Sequence, residues 1–185
     1  ALGNSLTRSA MKRVTHSLDD CYNHQSFQLA MPRESKRLTE LTGITDEMLS
    51  GAPTALEIFP SLMDFLGDYQ STVLVAQNAP FDLSFLKYAA SVNKLPWPKY
   101  PVLDTAIIAR KVLTREEVPN CRLGTLAEFF GTSTTPSHRA LDDARATVDV
   151  FHGILDRLGS FGVTTLEDLK SFSHRITDSQ RKKRY

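Results

Sequence analysis

Features that would tie the chain to a membrane, a disulfide scaffold or a strongly basic surface are scarce. Only two cysteines occur, Cys21 and Cys121. They lie far apart and form no metal-ligand or redox spacing, so neither a stapled mini-domain nor a zinc ribbon is indicated. A reduced, cytoplasmic protein is the simplest expectation. No run approaches the roughly 18 apolar residues that a membrane helix needs, and no secretory pattern is present. The formal net charge is +1, which excludes a strongly basic nucleic-acid binder and leaves any contact with phosphates to a local patch or to bound cations. No internal repeat or low-complexity block interrupts the chain. What is there is ordinary for one globular domain: 185 residues, 41% hydrophobic and 23% charged,.

The pattern along the chain alternates helices with short strands, which indicates an α/β layered domain. Residues 54–67 read as a helix with Leu56, Phe59, Leu62, Met63 and Leu66 on one face; Pro60 either kinks it or marks its start,. Residues 72–76 are apolar and β-branched, as in a buried strand. Helices are predicted over about 82–93, 104–113 and 123–130, the last stopped by Gly131, with a proline-rich connection at 95–101 and a short strand at 101–103,. A polar loop at 132–137 leads into a long helix whose apolar face is set by Leu141, Ala144, Val148, Phe151, Leu155 and Leu158,. Near the end, Thr164 and Glu167 have capping-box spacing before a short helix, and residues 173–185 read as a polar, frayed basic tail,.

Two segments carry chemistry. In the first, His138 lies five residues ahead of Asp143 at the start of the long helix. Asp142 and Asp149 point away from its apolar face, and Asp143 lies on the flank, with the small residues Ala140 and Ala146 one turn to either side. A carboxylate at the edge of a core beside an imidazole can bind a metal and deprotonate a water. Acidic residues also favour first helical turns for electrostatic reasons alone, and on this segment the structural reading is the stronger. In the second, Gln77-Asn-Ala-Pro-Phe-Asp82 follows the strand at 72–76 directly. Asp82 then falls at a strand-to-helix junction near the carboxyl end of a strand, where open α/β sheets bind ligands. A helix N-cap is the plain alternative for it.

Taken with three further pieces, these segments resemble the DEDDh-type 3′–5′ exonuclease superfamily, with the closest likeness to the proofreading epsilon subunits of bacterial replicative polymerases. The matching pieces are Leu38-Thr-Glu-Leu-Thr-Gly-Ile-Thr45, Val73-Leu-Val-Ala-Gln-Asn-Ala-Pro-Phe-Asp-Leu-Ser-Phe-Leu86, Pro101-Val-Leu-Asp-Thr105, Arg122-Leu-Gly-Thr-Leu-Ala-Glu-Phe-Phe130 and His138-Arg-Ala-Leu-Asp-Asp-Ala-Arg-Ala-Thr147. Five ordered motifs over about residues 27–158 are far more specific than any one of them. The resemblance implies an RNase H-like α/β fold with a mixed central sheet flanked by helices. It makes Asp82 and Asp143 metal ligands for Mg²⁺ or Mn²⁺ in a two-metal site, and His138 the general base. It places Thr42, Gly43, Ile44, Asn78 and Phe81 around the terminal nucleotide. Asp104 also matches a family position, with a structural role at a strand end or helix start, and Gln77 stands where relatives often carry a histidine.

The chain departs from the family at its amino terminus. The first motif, a strand bearing Asp-x-Glu, supplies the other two carboxylates, and no Asp-x-Glu occurs in this sequence. Three explanations compete: the sequence lacks part of a longer protein, Asp19 and Asp20 substitute, or the chain is a degenerate relative that binds without cutting. The first is favoured, because the missing strand would be central to the sheet. The expected organisation is therefore an atypical segment at 1–26, an exonuclease domain at 27–159, and a C-terminal helix and basic tail at 160–185.

The function this implies is metal-dependent hydrolysis of terminal phosphodiesters at single-stranded DNA or frayed DNA 3′ ends. The products would be nucleoside monophosphates, the use proofreading or repair, and a polymerase catalytic subunit a candidate partner. An oligoribonuclease-like enzyme acting on RNA is one alternative. A non-catalytic exonuclease-fold binding module is the other, and the missing Asp-x-Glu favours it.

Overall fold

The structure, a computed structural model, describes residues 43–172. Thr42, the atypical segment 1–26 and the basic tail at 173–185 lie outside the described residues. Those described fall into two compact units that divide between Leu103 and Asp104.

The first unit opens with the short helix α1 (Asp46–Ser50) and the longer α2 (Ala55–Leu66). Thr54 caps α2 in a reciprocal box: Glu57 N–H donates to Thr54 Oγ1 at 3.4 Å, and Thr54 N–H donates to Glu57 Oε2 at 2.6 Å,. Pro60 lies inside the helix and does not start it. Of the apolar face expected here, Phe59 is buried, while Leu56 is 51% exposed. Phe59 packs with Trp97, and Trp97 with Tyr100, at ring-centroid distances of 6.2 and 5.8 Å. The Tyr100 hydroxyl donates to Gly67 O at 2.7 Å, tying the proline-rich connection to the end of α2.

Strand β1 (Leu74–Ala76), helix α3 (Ala79–Val92) and strand β2 (Val102–Asp104) form a β-α-β crossover. The two strands pair in a small parallel sheet, with Leu74 N–H donating to Pro101 O at 2.9 Å,. Strand β1 is shorter than the predicted 72–76 and half-buried throughout, where full burial was expected. Helix α3 begins at Ala79, three residues ahead of the predicted start, because Pro80 suits the first turn, where its missing N–H has no partner to lose,.

In the second unit, α4 (Thr105–Val112) follows β2 with no intervening loop. Asp104 makes this possible as N-cap: its carboxylate accepts from Ala106 N–H at 2.9 Å and Ile107 N–H at 3.2 Å,. This is the structural role the sequence suggested. Next come α5 (Leu123–Phe130), α6 (Ala140–Gly159) and α7 (Leu166–Phe172). Helix α6 is the spine of the unit. Its Val150, Phe151, Ile154 and Leu158 are almost fully buried together with Leu113, Val118 and Leu126, each burial favouring the folded state by about 1.5–3 kcal/mol.

The face that α6 buries is rotated from the predicted one. Ala146, Thr147, Val150, Phe151, Ile154 and Leu158 are buried, whereas Val148 and Leu155 are only half-buried. Close approach is the reason: Phe130 of α5 lies against Gly153, where a side chain would collide with its ring. Helix α5 stops at Gly131, left-handed at φ +63°, and the Thr132 N–H closes the cap on Ala127 O at 3.0 Å,. An Arg157–Glu117 ion pair fastens the outer side of α6. The cap of α7 uses Thr165 with Asp168, at 3.1 Å in each direction, in place of the predicted Thr164 with Glu167.

Candidate active site

The sequence-predicted residues fall into three groups. Gly43 and Ile44 lie just ahead of α1; Gly43 is exposed at φ +75°, and Ile44 is half-buried. Asn78, Phe81 and Asp82 sit at the start of α3. Asn78 is the N-cap in a left-handed conformation (φ +62°) and makes no side-chain cap, a backbone state Asn tolerates better than most residues. Asp82 is in the first turn and exposed, so it is not the cap itself. Phe81 is 58% exposed and meets Phe85 edge-on at 5.0 Å, which leaves an aromatic face beside the carboxylate.

The third group is His138 and Asp143, and the structure draws these together. Asp143 is in the first turn of α6. At about 100° per residue, it heads the stripe continued by Thr147, Val150 and Ile154, all buried. It therefore stands at the upper end of the buried face and not on its flank. Its Oδ1 accepts from Ser137 N–H at 3.1 Å and His138 N–H at 3.2 Å. His138 itself is at φ +60°, a left-handed state costing a non-glycine residue roughly 1–2 kcal/mol. Two charge-assisted hydrogen bonds to the same oxygen hold the turn in that shape. The imidazole is left on the exposed side of the turn.

Four residues that pattern reading did not single out for the site, Ser133, Ser137, Asp142 and Asp149, complete this arrangement. The Ser137 hydroxyl donates to Asp142 Oδ2 at 2.7 Å. Ser133 donates to Asp149 Oδ2 twice, from N–H at 2.9 Å and from Oγ at 2.7 Å. The available signal was the seven-residue interval between Asp142 and Asp149, which returns a helix to nearly the same side.

A carboxylate such as Asp82 in the first unit or Asp143 in the second is the kind of ligand a hard divalent cation takes; among the described residues, no group of three or more His, Cys, Asp or Glu is placed to hold a metal ion.

Comparison with known proteins bears on the family and the fold. The family model described as Exonuclease (RNase_T) matches residues 17–151. A Mycobacterium tuberculosis protein whose name proposes a bifunctional exonuclease/endonuclease is 47% identical over 148 residues, covering 80% of this chain and 22% of its own length. PolC-type DNA polymerase III of Caldanaerobacter subterraneus is 36% identical over 137 residues, or 74% of this chain and 9% of that one. The Bacillus subtilis PolC-type enzyme is 33% identical over 152 residues, or 82% and 10%. The chain thus spans about a fifth or less of the length of these relatives. Among solved structures, Exonuclease X in complex with 5′ overhanging duplex DNA superposes with a TM-score of 0.53 at 20% identity, covering 76% of this chain and 78% of that one. That likeness speaks for the fold, an RNase H-like α/β arrangement. With the family model covering well over half of the sequence, the chain belongs to the exonuclease family.

Proposed function

We propose that this domain is a metal-dependent 3′–5′ exonuclease that removes nucleoside monophosphates from single-stranded or frayed DNA ends. The observation that carries the reading is the Asp143–His138 turn, in which one carboxylate oxygen shapes the backbone that presents the imidazole. The PolC-type relatives and the duplex DNA held by Exonuclease X in its complex favour DNA over RNA as substrate.

Asp82 and Asp143 would supply carboxylates to Mg²⁺ or Mn²⁺. A bound divalent cation of this kind activates water and stabilises a leaving oxygen. His138, exposed on its turn, would accept the proton of the attacking water at a ring nitrogen. Phe81, beside Asp82, offers a face on which a terminal base can stack, a contact that tolerates any base. Asn78 would help shape the same pocket, and Thr42, Gly43 and Ile44 would line the sugar side. A polymerase catalytic subunit is the partner suggested by the PolC-type relatives, with proofreading as the corresponding use.

The test is degradation of a 5′-labelled single-stranded oligonucleotide with Mg²⁺, Mn²⁺ or EDTA. A metal-dependent ladder shortening from the 3′ end, lost in Asp143→Ala, is the expected result. The second reading, a binding module that holds nucleic-acid ends without cutting, is favoured by the absence of Asp-x-Glu. No cleavage by folded protein that still binds the oligonucleotide would put it ahead.

A further inference from the structure

We infer that Asp149 is a positioning residue for His138, acting through the loop at 132–139. This rests on His138 being the general base of the site. Asp142 and Asp149 lie on the same side of α6, and the loop runs along that side, with Ser133 pegged to Asp149 and Ser137 to Asp142. Seven residues of helix separate the two pegs along the axis by about 10 Å at 1.5 Å per residue. The four-residue step from Ser133 to Ser137 can reach at most about 14 Å. The two pegs therefore pin both ends of this step, and its bend at Ser133 and Thr134 is braced by Thr132 Oγ1 donating to Thr134 O at 2.8 Å.

A step pinned at both ends has few conformations open to it, and Pro136 narrows them further by fixing φ,. Its downstream end must arrive where Ser137 N–H and His138 N–H both reach Asp143 Oδ1, in a left-handed turn that resists forming by itself. Releasing the upstream peg returns conformational freedom to the chain, and the turn loses a constraint that favours it. The upstream end of the loop is fixed independently by the Gly131 cap of α5, so the freedom regained at Asp149 passes toward His138.

The experiment compares wild type, Asp149→Ala and Asp149→Asn in the full chain. The first readout needs no metal and no turnover: amide hydrogen exchange by NMR. In Asp149→Ala, the Ser137 and His138 amides should exchange about tenfold faster, the scale set by losing charge-assisted hydrogen bonds. Val150 and Phe151, inside α6, should not change. Asp149→Asn keeps an acceptor oxygen and should recover most of the protection. Faster exchange confined to Ser133, with Ser137 and His138 unchanged, would overturn the inference.

The second readout is oligonucleotide hydrolysis with Mn²⁺. Asp149→Ala should lower kcat about tenfold with little change in KM, and should add no further loss in a His138→Ala background. An equal further loss in that background would show that Asp149 does not act through His138. Full activity in His138→Ala alone would instead refute the general-base assignment, while the exchange readout would still report whether Asp149 orders the turn.

Discussion

Replacing Gly153 with alanine should destabilise the protein, although helix propensity alone predicts the opposite. In a helix interior, alanine is favoured over glycine by about 1 kcal/mol. Gly153 lies inside α6 with the ring of Phe130 laid over it: a methyl group there would stand 2.7 Å from Cγ and 2.8 Å from Cε1, and closer still to Cδ1. Three ring atoms in collision cannot be relieved by swinging the far end of a chain, since Cγ moves only if the whole ring turns about χ1. Phe130 is further held edge-on to Phe129, with centroids 4.9 Å apart. Overpacking of this severity belongs at the upper end of the usual range, about 3 kcal/mol. The net expectation is a loss of about 2 kcal/mol, or roughly 4–8 °C in Tm for a chain of this size. Urea unfolding and calorimetry of Gly153→Ala, with and without Phe130→Ala, provide the assay. With the ring gone, the same substitution should become stabilising by about 1 kcal/mol. The reasoning fails if Gly153→Ala raises stability in the wild-type background, or if its effect keeps one sign in both.

Other outcomes follow from the same structure. Asp143→Asn keeps an acceptor oxygen for the Ser137 and His138 amides, so it should retain the fold and the loop while losing Mn²⁺ affinity and hydrolysis; Asp143→Ala should also loosen the loop, read by amide exchange. Lys94, just past the end of α3, sits at φ +54° with Leu95 N–H bonded to Ala90 O; Lys94→Gly should raise stability by about 1 kcal/mol in urea unfolding, since glycine adopts that state freely. Hydrogen bonds from Thr54 backbone and side chain lower the pKa of Glu57, and those from Thr164 and Thr165 lower that of Asp168. Both carboxylates thus add stability that is present above their unfolded pKa values and lost as pH falls through the folded ones. The Tm advantage of wild type over Glu57→Gln/Asp168→Asn should therefore shrink as the solution is acidified below about pH 4. Burial raises the Cys121 thiol pKa, only partly offset by the Arg110 charge, so at pH 7.5 a disulfide reagent should label it far more slowly in the folded than in the unfolded protein.

Helix ends were legible because they are written in local chemistry. Asp104 and Gly131 each satisfy backbone groups within a few residues and fall where the sequence reading put them; Thr54 closes its box with Glu57 at the start of the helix read over 54–67, and the box expected at Thr164 and Glu167 moves one residue on. The buried face of α6 was less legible. Val148 and Leu155 count fully in a hydrophobic pattern, yet the buried positions are Ala146, Thr147, Val150, Phe151, Ile154 and Leu158, and the half-buried Gly153, which carries no weight in such a pattern, is where Phe130 of α5 comes close. In the site, the order of His138 and Asp143 was readable from the motif. What pattern could not give was the backbone: that Asp143 grips the turn by its N–H groups, or that Asp149, which reads as a solvated carboxylate, holds a serine sixteen residues upstream.

The span between Ser133 and Ser137 also bears on how this segment can change over evolutionary time. Thr134 and Thr135 give up little if their side chains are exchanged, so composition there is open to drift. Length is not. Deleting one residue would leave the chain too short to reach both pegs comfortably, and inserting one would let the histidine wander from the carboxylate. Relatives that keep this geometry should therefore differ in the letters at 134 and 135, keep the proline and agree in the number of residues between the two serines.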